Sequence, residues 1–179
     1  MNKLYPNGSG TVAAVFGHPL HPMVVPLPIG AFILALVSDA IGFTTGDPFW
    51  THTSFFLIAA GVVTGALAGL IGLVELVSLR RARTMGLAWA HGIVNVIALA
   101  IAFFSLLIRR EGWGTDNPLV GYPQLISAAV VVLLLLISGW LGGELSYRHG
   151  VGVSESVGSE REDGDPERTP AGRPDLGKL

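Results

Sequence analysis

The sequence contains no cysteine and few charged residues. Without cysteine, these 179 residues cannot form disulfides, thiolate zinc sites or cysteine-ligated iron–sulfur clusters, so any metal would need histidine, carboxylate or methionine ligands. Only 13% of the residues are charged, against about a quarter in an ordinary soluble domain. Half of them are hydrophobic, and the mean hydropathy is +0.58. This composition predicts an integral membrane protein.

A basic surface and the common catalytic motifs are also missing. The formal net charge is −2, and much of the charge lies beyond residue 153, so nucleic acid is excluded as a predicted partner. The sequence has no Walker loop, dinucleotide-binding fingerprint, nucleophile elbow or His-Glu-x-x-His zinc helix. No enzymatic reaction is therefore predicted, and the partner that the composition does predict is the lipid bilayer.

Four long apolar runs account for most of the chain. As a helix, the first would be about 31 Å long at about 1.5 Å per residue, which matches the hydrocarbon core of a bilayer. The fold class predicted is an all-α membrane protein, a four-transmembrane-helix up-down bundle. Its predicted parts are a loose N-terminal segment at 1–16, a membrane domain at 17–153 with spans at 23–43, 55–79, 85–108 and 125–141, and a disordered acidic tail at 154–179.

The distribution of basic residues predicts the orientation in the membrane. An even number of spans places both termini and the loop between spans two and three on one side. Five basic residues lie near the spans on that side and two on the other, namely Lys3, Arg80, Arg81, Arg83 and Arg148 against Arg109 and Arg110. The side richer in Lys and Arg is normally cytoplasmic. The termini are therefore predicted to be cytoplasmic, in a multi-pass protein of the inner (plasma) membrane.

The most specific local pattern lies just before the first span. His18 and His21 are each followed by a proline, and a proline disfavours the α region for the residue before it. Both histidines are therefore predicted in extended or turn geometry at the mouth of the first span.

An up-down bundle brings further polar groups to the same membrane face as these two histidines. They are Glu75 near the end of span two, His91 inside span three, and Glu144 and His149 at the end of span four. Ionisable groups in hydrocarbon are costly and usually pair or bind something. The predicted metal ligands are His18, His21, His91, Glu75 and Glu144, with Asn95, Arg148 and His149 as their supporting partners.

Each of these residues also has a structural interpretation. The His-Pro pair can simply turn the chain into span one, and the glutamates can pair with arginines or histidines. Asp39, near the opposite face, is expected to form a hydrogen bond near the interface. Gly61, Gly65, Gly69 and Gly72, at spacings of four, four and three, form a small-residue stripe expected to allow close helix packing.

Three stretches of the sequence resemble a known family. They are residues 17–30, His91 with Asn95, and residues 138–153, which run from Ser-Gly-Trp through Tyr-Arg-His-Gly to Val153. These stretches are similar to the bacterial four-helix membrane proteins of domain-of-unknown-function family 2231. The resemblance covers about residues 15–153 and implies a four-span bundle in the inner membrane. It also implies a link to redox chemistry, because some similar proteins carry a Rieske-type iron–sulfur domain that this chain lacks.

Three functions remain open on this basis. The first is a cofactor site for electron transfer: haem b, held by His91 with His18 or His21, or a non-haem iron, zinc or manganese ion on the histidines and glutamates. The second is a non-catalytic subunit whose polar cluster locks the helix ends and which binds a redox or other membrane protein. The third is proton or small-solute transport through Asp39, Glu75 and His91, which would require a homo-oligomer.

Overall fold

The computed structural model describes residues 10–111 and 120–153. Three stretches lie outside the described residues: the predicted tail at 154–179, most of the predicted loose segment, at 1–9, and residues 112–119. The elements are, in chain order, β1 (Ala14–Val15), β2 (His18–Pro19), α1 (Leu20–Val24), α2 (Pro26–Thr45), α3 (Pro48–Ser78), α4 (Arg80–Arg83), α5 (Gly86–Glu111), α6 (Tyr122–Gly143) and a π-helical turn (Glu144–Arg148).

Four helical segments within the described ranges are long and apolar enough to cross a membrane: Leu20–Thr45, Pro48–Ser78, Gly86–Arg110 and Tyr122–Arg148. They pack in a closed ring, with α2 on α3, α3 on α5, α5 on α6 and α6 back on α2. The predicted four-helix membrane bundle is confirmed. Its outer surface carries large apolar side chains that lipid, but not water, would solvate, such as Val63 (70% exposed) and Leu136 (65%).

The second span begins earlier than its apolar run predicts. Helix α3 begins at Pro48, whereas hydropathy placed the start near residue 55. Asp47 caps the helix, because its Oδ1 accepts a hydrogen bond of 2.9 Å from the backbone N–H of Phe49. Gly46 ends the preceding helix with a left-handed φ of +68°. Local capping chemistry therefore extends the helix into a polar stretch that hydropathy assigns to a loop.

The centre of the bundle is packed with apolar side chains from all four spans. Phe32, Ala35, Ile58, Ala102 and Val131 form this core. Gly61 and Gly65 of the glycine stripe face α2 there, and a Cβ on Gly61 would lie only 2.6 Å from the Phe32 ring. This close packing leaves two regions of buried or half-buried polar groups, one at each end of the bundle.

Candidate functional site

The N-terminal segment and α1 position the two histidines of the His-Pro pattern. His18 lies in β2, extended as predicted, and its side chain is exposed. The prediction of extended or turn geometry is wrong for His21, which lies in helix α1. Pro22 is tolerated there because the N–H groups of a helix's first turn have no acceptor within the helix. The helical turn directs the His21 ring toward α3.

His21 is held against α3 by one hydrogen bond and by a glycine. Its Nδ1 lies 3.0 Å from the backbone oxygen of Ala68. A carbonyl oxygen only accepts, so Nδ1 carries the proton and donates it. A Cβ on Gly72 would lie 2.8 Å from Cε1 of the ring, so the imidazole occupies the space that the missing side chain leaves. Gly72 therefore serves to admit the His21 ring.

His91 is held against α6 in the same way. Its Nδ1 lies 3.0 Å from the backbone oxygen of Ser138 and 3.1 Å from the Ser138 hydroxyl. On the other side of the ring, the amide nitrogen of Asn95 lies 3.2 Å from Nε2 and donates to it. The same amide nitrogen also donates to the backbone oxygen of His91, at 2.9 Å. His91 therefore has its proton on Nδ1 and a lone pair on Nε2.

The two imidazoles lie side by side although they belong to different spans. Their ring centroids are 6.4 Å apart, and the ring planes are nearly perpendicular, at 81°. Both rings are half-buried. We refer to His21 and His91 as the histidine pair. It is the part of the sequence-predicted cluster that the structure brings together.

The two predicted glutamate ligands have other partners. Glu75 accepts a hydrogen bond from the hydroxyl of Thr11, which ties the N-terminal segment to the end of α3. Glu144 forms an ion pair of 2.9 Å with Arg148, four residues later in the π-helical turn, and the Arg148 side chain is 75% exposed. Such an exposed pair contributes about 0–1 kcal/mol to stability.

The complete ligand set predicted from the sequence is not gathered at one point. Within residues 10–111 and 120–153, no group of three or more His, Asp or Glu side chains is placed to hold a metal ion. His149 follows the π-helical turn and is half-buried, with its backbone N–H bonded to the backbone oxygen of Glu144. Of the predicted supporting residues, Asn95 contacts the histidine pair, and Arg148 contacts Glu144.

A second polar centre, which the sequence did not predict, lies at the opposite end of the bundle. Arg109 forms a bidentate ion pair with Asp39, at 2.8 Å (Nη1 to Oδ1) and 2.6 Å (Nη2 to Oδ2). The guanidinium also donates to the Ser54 hydroxyl, the Ser105 hydroxyl and the backbone oxygen of Gln124. The Asp39 side chain is 0% exposed and that of Arg109 3%. We refer to these five residues as the arginine centre.

The arginine centre uses the full donor capacity of Arg109. A guanidinium has five N–H donors, and the partners above account for all of them, from all four spans. The signal available in the sequence was the opposite charge of Asp39 and Arg109 at one membrane face. Arg109 also ends an apolar run beside Arg110, a position typical of a residue that flanks a span at the interface. No buried side-chain nitrogen or oxygen in the described ranges lacks a hydrogen-bond partner.

Comparison with known proteins gives one result. Residues 17–155 match the family described as Predicted membrane protein (DUF2231), so the resemblance found in the sequence is confirmed. No curated protein and no solved structure matches the chain. The matched range includes all four spans, the histidine pair and the arginine centre.

Proposed function

Since the chain belongs to the DUF2231 family of predicted membrane proteins, we propose that it acts within the bilayer as a haem-binding electron carrier. His21, at the start of span one, and His91, in span three, would hold a haem b through its iron. Bound haem would supply one-electron redox chemistry. A membrane redox protein would be the partner.

The observation that supports this proposal is the orientation of both imidazole rings. Each ring gives its Nδ1 proton to a backbone carbonyl at 3.0 Å, on α3 for His21 and on α6 for His91. In this tautomer Nε2 is the nitrogen with the lone pair that a metal ion would need, and in His91 that lone pair now accepts the hydrogen bond from Asn95. Metal-binding histidines almost always donate their second ring nitrogen in this way, because the bond fixes the tautomer and the ring direction.

The number of available ligands favours haem over a bare metal ion. The porphyrin already provides four nitrogens, so haem iron needs at most two protein ligands, whereas non-haem zinc sites use three or four. The described residues offer the histidine pair but no group of three acidic or histidine side chains. The centroid separation of 6.4 Å is about that of two imidazoles bound to one metal ion through bonds of about 2 Å.

Asn95 and two glycines would support the ligands. Asn95 donates to Nε2 of His91, and it keeps a second acceptor in the His91 backbone oxygen when Nε2 is engaged elsewhere. Gly72 and Gly142 leave the space beside the His21 and His91 rings, where a Cβ would lie at 2.8 Å and 3.2 Å from Cε1. These three residues orient and accommodate the rings without contributing a ligand atom.

The test is the spectrum of the purified full-length chain. In mild detergent, the reduced-minus-oxidised absorption spectrum is expected to show a b-type haem, and elemental analysis one iron per haem. His21→Ala and His91→Ala are each expected to lose nearly all of the haem, because a ligand provided by one span is removed. His18→Ala is the matched control, since His18 is exposed in β2, and it is expected to keep the haem.

Three results would contradict the haem proposal. The first is well-folded wild-type protein that stays colourless after haem is added during expression. The second is stoichiometric iron, zinc or manganese without a haem spectrum, which would indicate the non-haem alternative. The third is haem that persists in both His→Ala variants. Size-exclusion chromatography of each variant separates loss of haem from loss of the fold.

A second function, a structural lock, is favoured by the contact between Asn95 and His91. That contact occupies Nε2 of His91, so His91 already satisfies both ring nitrogens within the protein. In this case the histidine pair joins α1 to α3 and α5 to α6, and the subunit serves to bind a membrane partner. If the histidine pair is a lock, His91→Gln is expected to keep the fold, because glutamine can still form hydrogen bonds. If His91 is a haem ligand, the same variant is expected to lose the haem.

For the orientation, we propose that the termini and the α3–α5 connection are cytoplasmic. The burial of Arg109 supports this orientation, because Asp39 offsets the charge of Arg109. Among the described residues of the opposite side, Arg110 is then the only exposed arginine, which increases the difference in basic residues between the two sides. Because the chain has no cysteine, a single introduced thiol can be labelled selectively. The Arg80→Cys variant is expected to react with a membrane-impermeant maleimide only after the cells are permeabilised. The Thr45→Cys variant is expected to react with the same reagent in intact cells. The reverse pattern would overturn the orientation.

A further inference from the structure

The turn that connects β1 to β2 has a strained conformation. Val15 pairs with His18, so Phe16 and Gly17 form a two-residue hairpin turn, with φ values of +50° and +81°. Turns with positive φ at both positions normally use Asn, Asp or Gly. A bulky aromatic residue in the left-handed region is an outlier, and such strain often marks a functional position.

Packing among the described residues does not explain the phenylalanine in this turn. The Phe16 side chain is 98% exposed, so it gains no contacts from the fold. In water, a polar turn residue would be less strained and better solvated there. The strain and the exposure together indicate that the ring is solvated by something other than the described residues.

The surface around Phe16 is apolar and continues into the membrane-spanning surface. Val12 and Val15, on the same hairpin, are 56% and 46% exposed, and Met23 and Leu27, at the start of the first span, are each 58% exposed. Between Lys3 and Asp39 the sequence contains no Lys, Arg, Asp or Glu. Along the chain, therefore, no charged residue separates the hairpin from the apolar surface of span one.

The base of the hairpin is fixed to the end of the bundle. The backbone N–H of Leu20 donates to the oxygen of Ala13 at 2.9 Å, and that of Gly10 to the oxygen of Val153 at 3.2 Å. The Thr11 hydroxyl donates to Glu75. These bonds join the hairpin to span one, to span two and to the segment that follows span four, so the turn is held at a constant position relative to the bundle.

We propose that the hairpin of residues 12–19 is a membrane anchor that inserts the Phe16 ring into the interfacial region of the bilayer. Lipid is the occupant that the surroundings favour, because the apolar surface of the hairpin is continuous with the lipid-facing surface of span one. In interfacial membrane-binding segments, Trp, Phe and Leu are the side chains that are buried at the boundary between headgroups and acyl chains. The anchor would hold α1, and with it His21, at a fixed depth in the membrane.

The absence of cysteine gives a direct test. A nitroxide spin label is attached to the Phe16→Cys variant, and the labelled protein is reconstituted at low density in phosphatidylcholine–phosphatidylglycerol vesicles. The collision rates of the label with oxygen and with a water-soluble nickel chelate are then measured. The oxygen-to-nickel ratio is expected to be several-fold higher at position 16 than at Arg80→Cys, and similar to that at Leu27→Cys. Val12→Cys is a second hairpin position with the same expectation.

Two results would overturn the anchor. A ratio at position 16 equal to that of Arg80→Cys would place the turn in water. Low accessibility to both reagents, or spin–spin broadening that disappears on dilution with unlabelled protein, would place it against another protein chain. Because position 16 is almost fully exposed, the substitution is not expected to disturb the fold.

Discussion

Replacing Arg109 with Met is expected to lower the free energy of unfolding by about 3–5 kcal/mol, the cost of breaking a buried ion pair by removing one partner. The substitution leaves the Asp39 carboxylate, which is 0% exposed, without its two charged hydrogen bonds. It also leaves the hydroxyls of Ser54 and Ser105 without the guanidinium. The measurement is reversible unfolding in mixed detergent micelles, followed by circular dichroism.

The neighbouring arginine is the matched control. Arg110 has the same charge and lies one position along the same helix, but its side chain is exposed. Arg110→Met is expected to change stability by no more than about 0.5 kcal/mol. Equal losses for the two variants would show that the arginine centre does not hold the bundle together.

A double variant distinguishes the cost of an unpaired charge from the value of the pair. Asp39→Leu with Arg109→Met removes both charges, and replacing a buried ion pair with apolar residues of similar size is often nearly neutral. The double variant is therefore expected to recover most of the stability that Arg109→Met loses. A double variant as unstable as the sum of the two single variants would argue against direct coupling.

Replacing Gly61 with Ala is expected to destabilise the bundle by about 1–3 kcal/mol, as overpacking of a tight core does. The added Cβ would lie 2.6 Å from Cε1 of Phe32, a separation that real structures essentially never show. Phe32 is only 5% exposed, so its ring cannot move aside without shifting other core residues. The measurement is the same unfolding experiment.

The same stripe contains the control for this prediction. A Cβ on Gly69, two turns further along α3, would meet nothing within 4 Å. Gly69→Ala is expected to be neutral or stabilising by up to about 1 kcal/mol, because Ala favours the helix. Phe32→Leu is expected to relieve part of the loss in Gly61→Ala. If Gly61→Ala and Gly69→Ala behave alike, close contact between α2 and α3 is not the reason for the stripe.

The sequence predicted the membrane spans better than their ends. A bilayer-crossing helix needs about 20 mostly apolar residues, and this property is readable from each segment alone. The start of α3 was missed by seven residues, because Asp47 and Pro48 begin a helix in a polar stretch. The backbone conformation predicted for His21 was also wrong. A residue before proline is biased against the helical region, but Pro22 lies in the first turn of α1, where this bias was overridden.

The candidate site was predicted less completely than the fold. In an up-down bundle, successive spans run in opposite directions, so the order of the spans alone predicts which residues share an end. This prediction placed His21 and His91 at the same end, as the structure has them. It did not predict that Glu75 would bond to Thr11 or Glu144 to Arg148. Those choices depend on the rotation of each helix about its axis and on where the N-terminal segment crosses the bundle.

By itself, the sequence determined that this chain crosses the membrane, with how many helices, and which polar residues share an end. Hydropathy and the order of the spans suffice for these features, because both can be read directly along the sequence. Only the tertiary structure decided which polar groups pair. Asp39 meets Arg109 across 70 positions, and His91 meets Ser138 across 47. Such pairs form because a buried polar group must find its partner in space, whatever the separation in sequence.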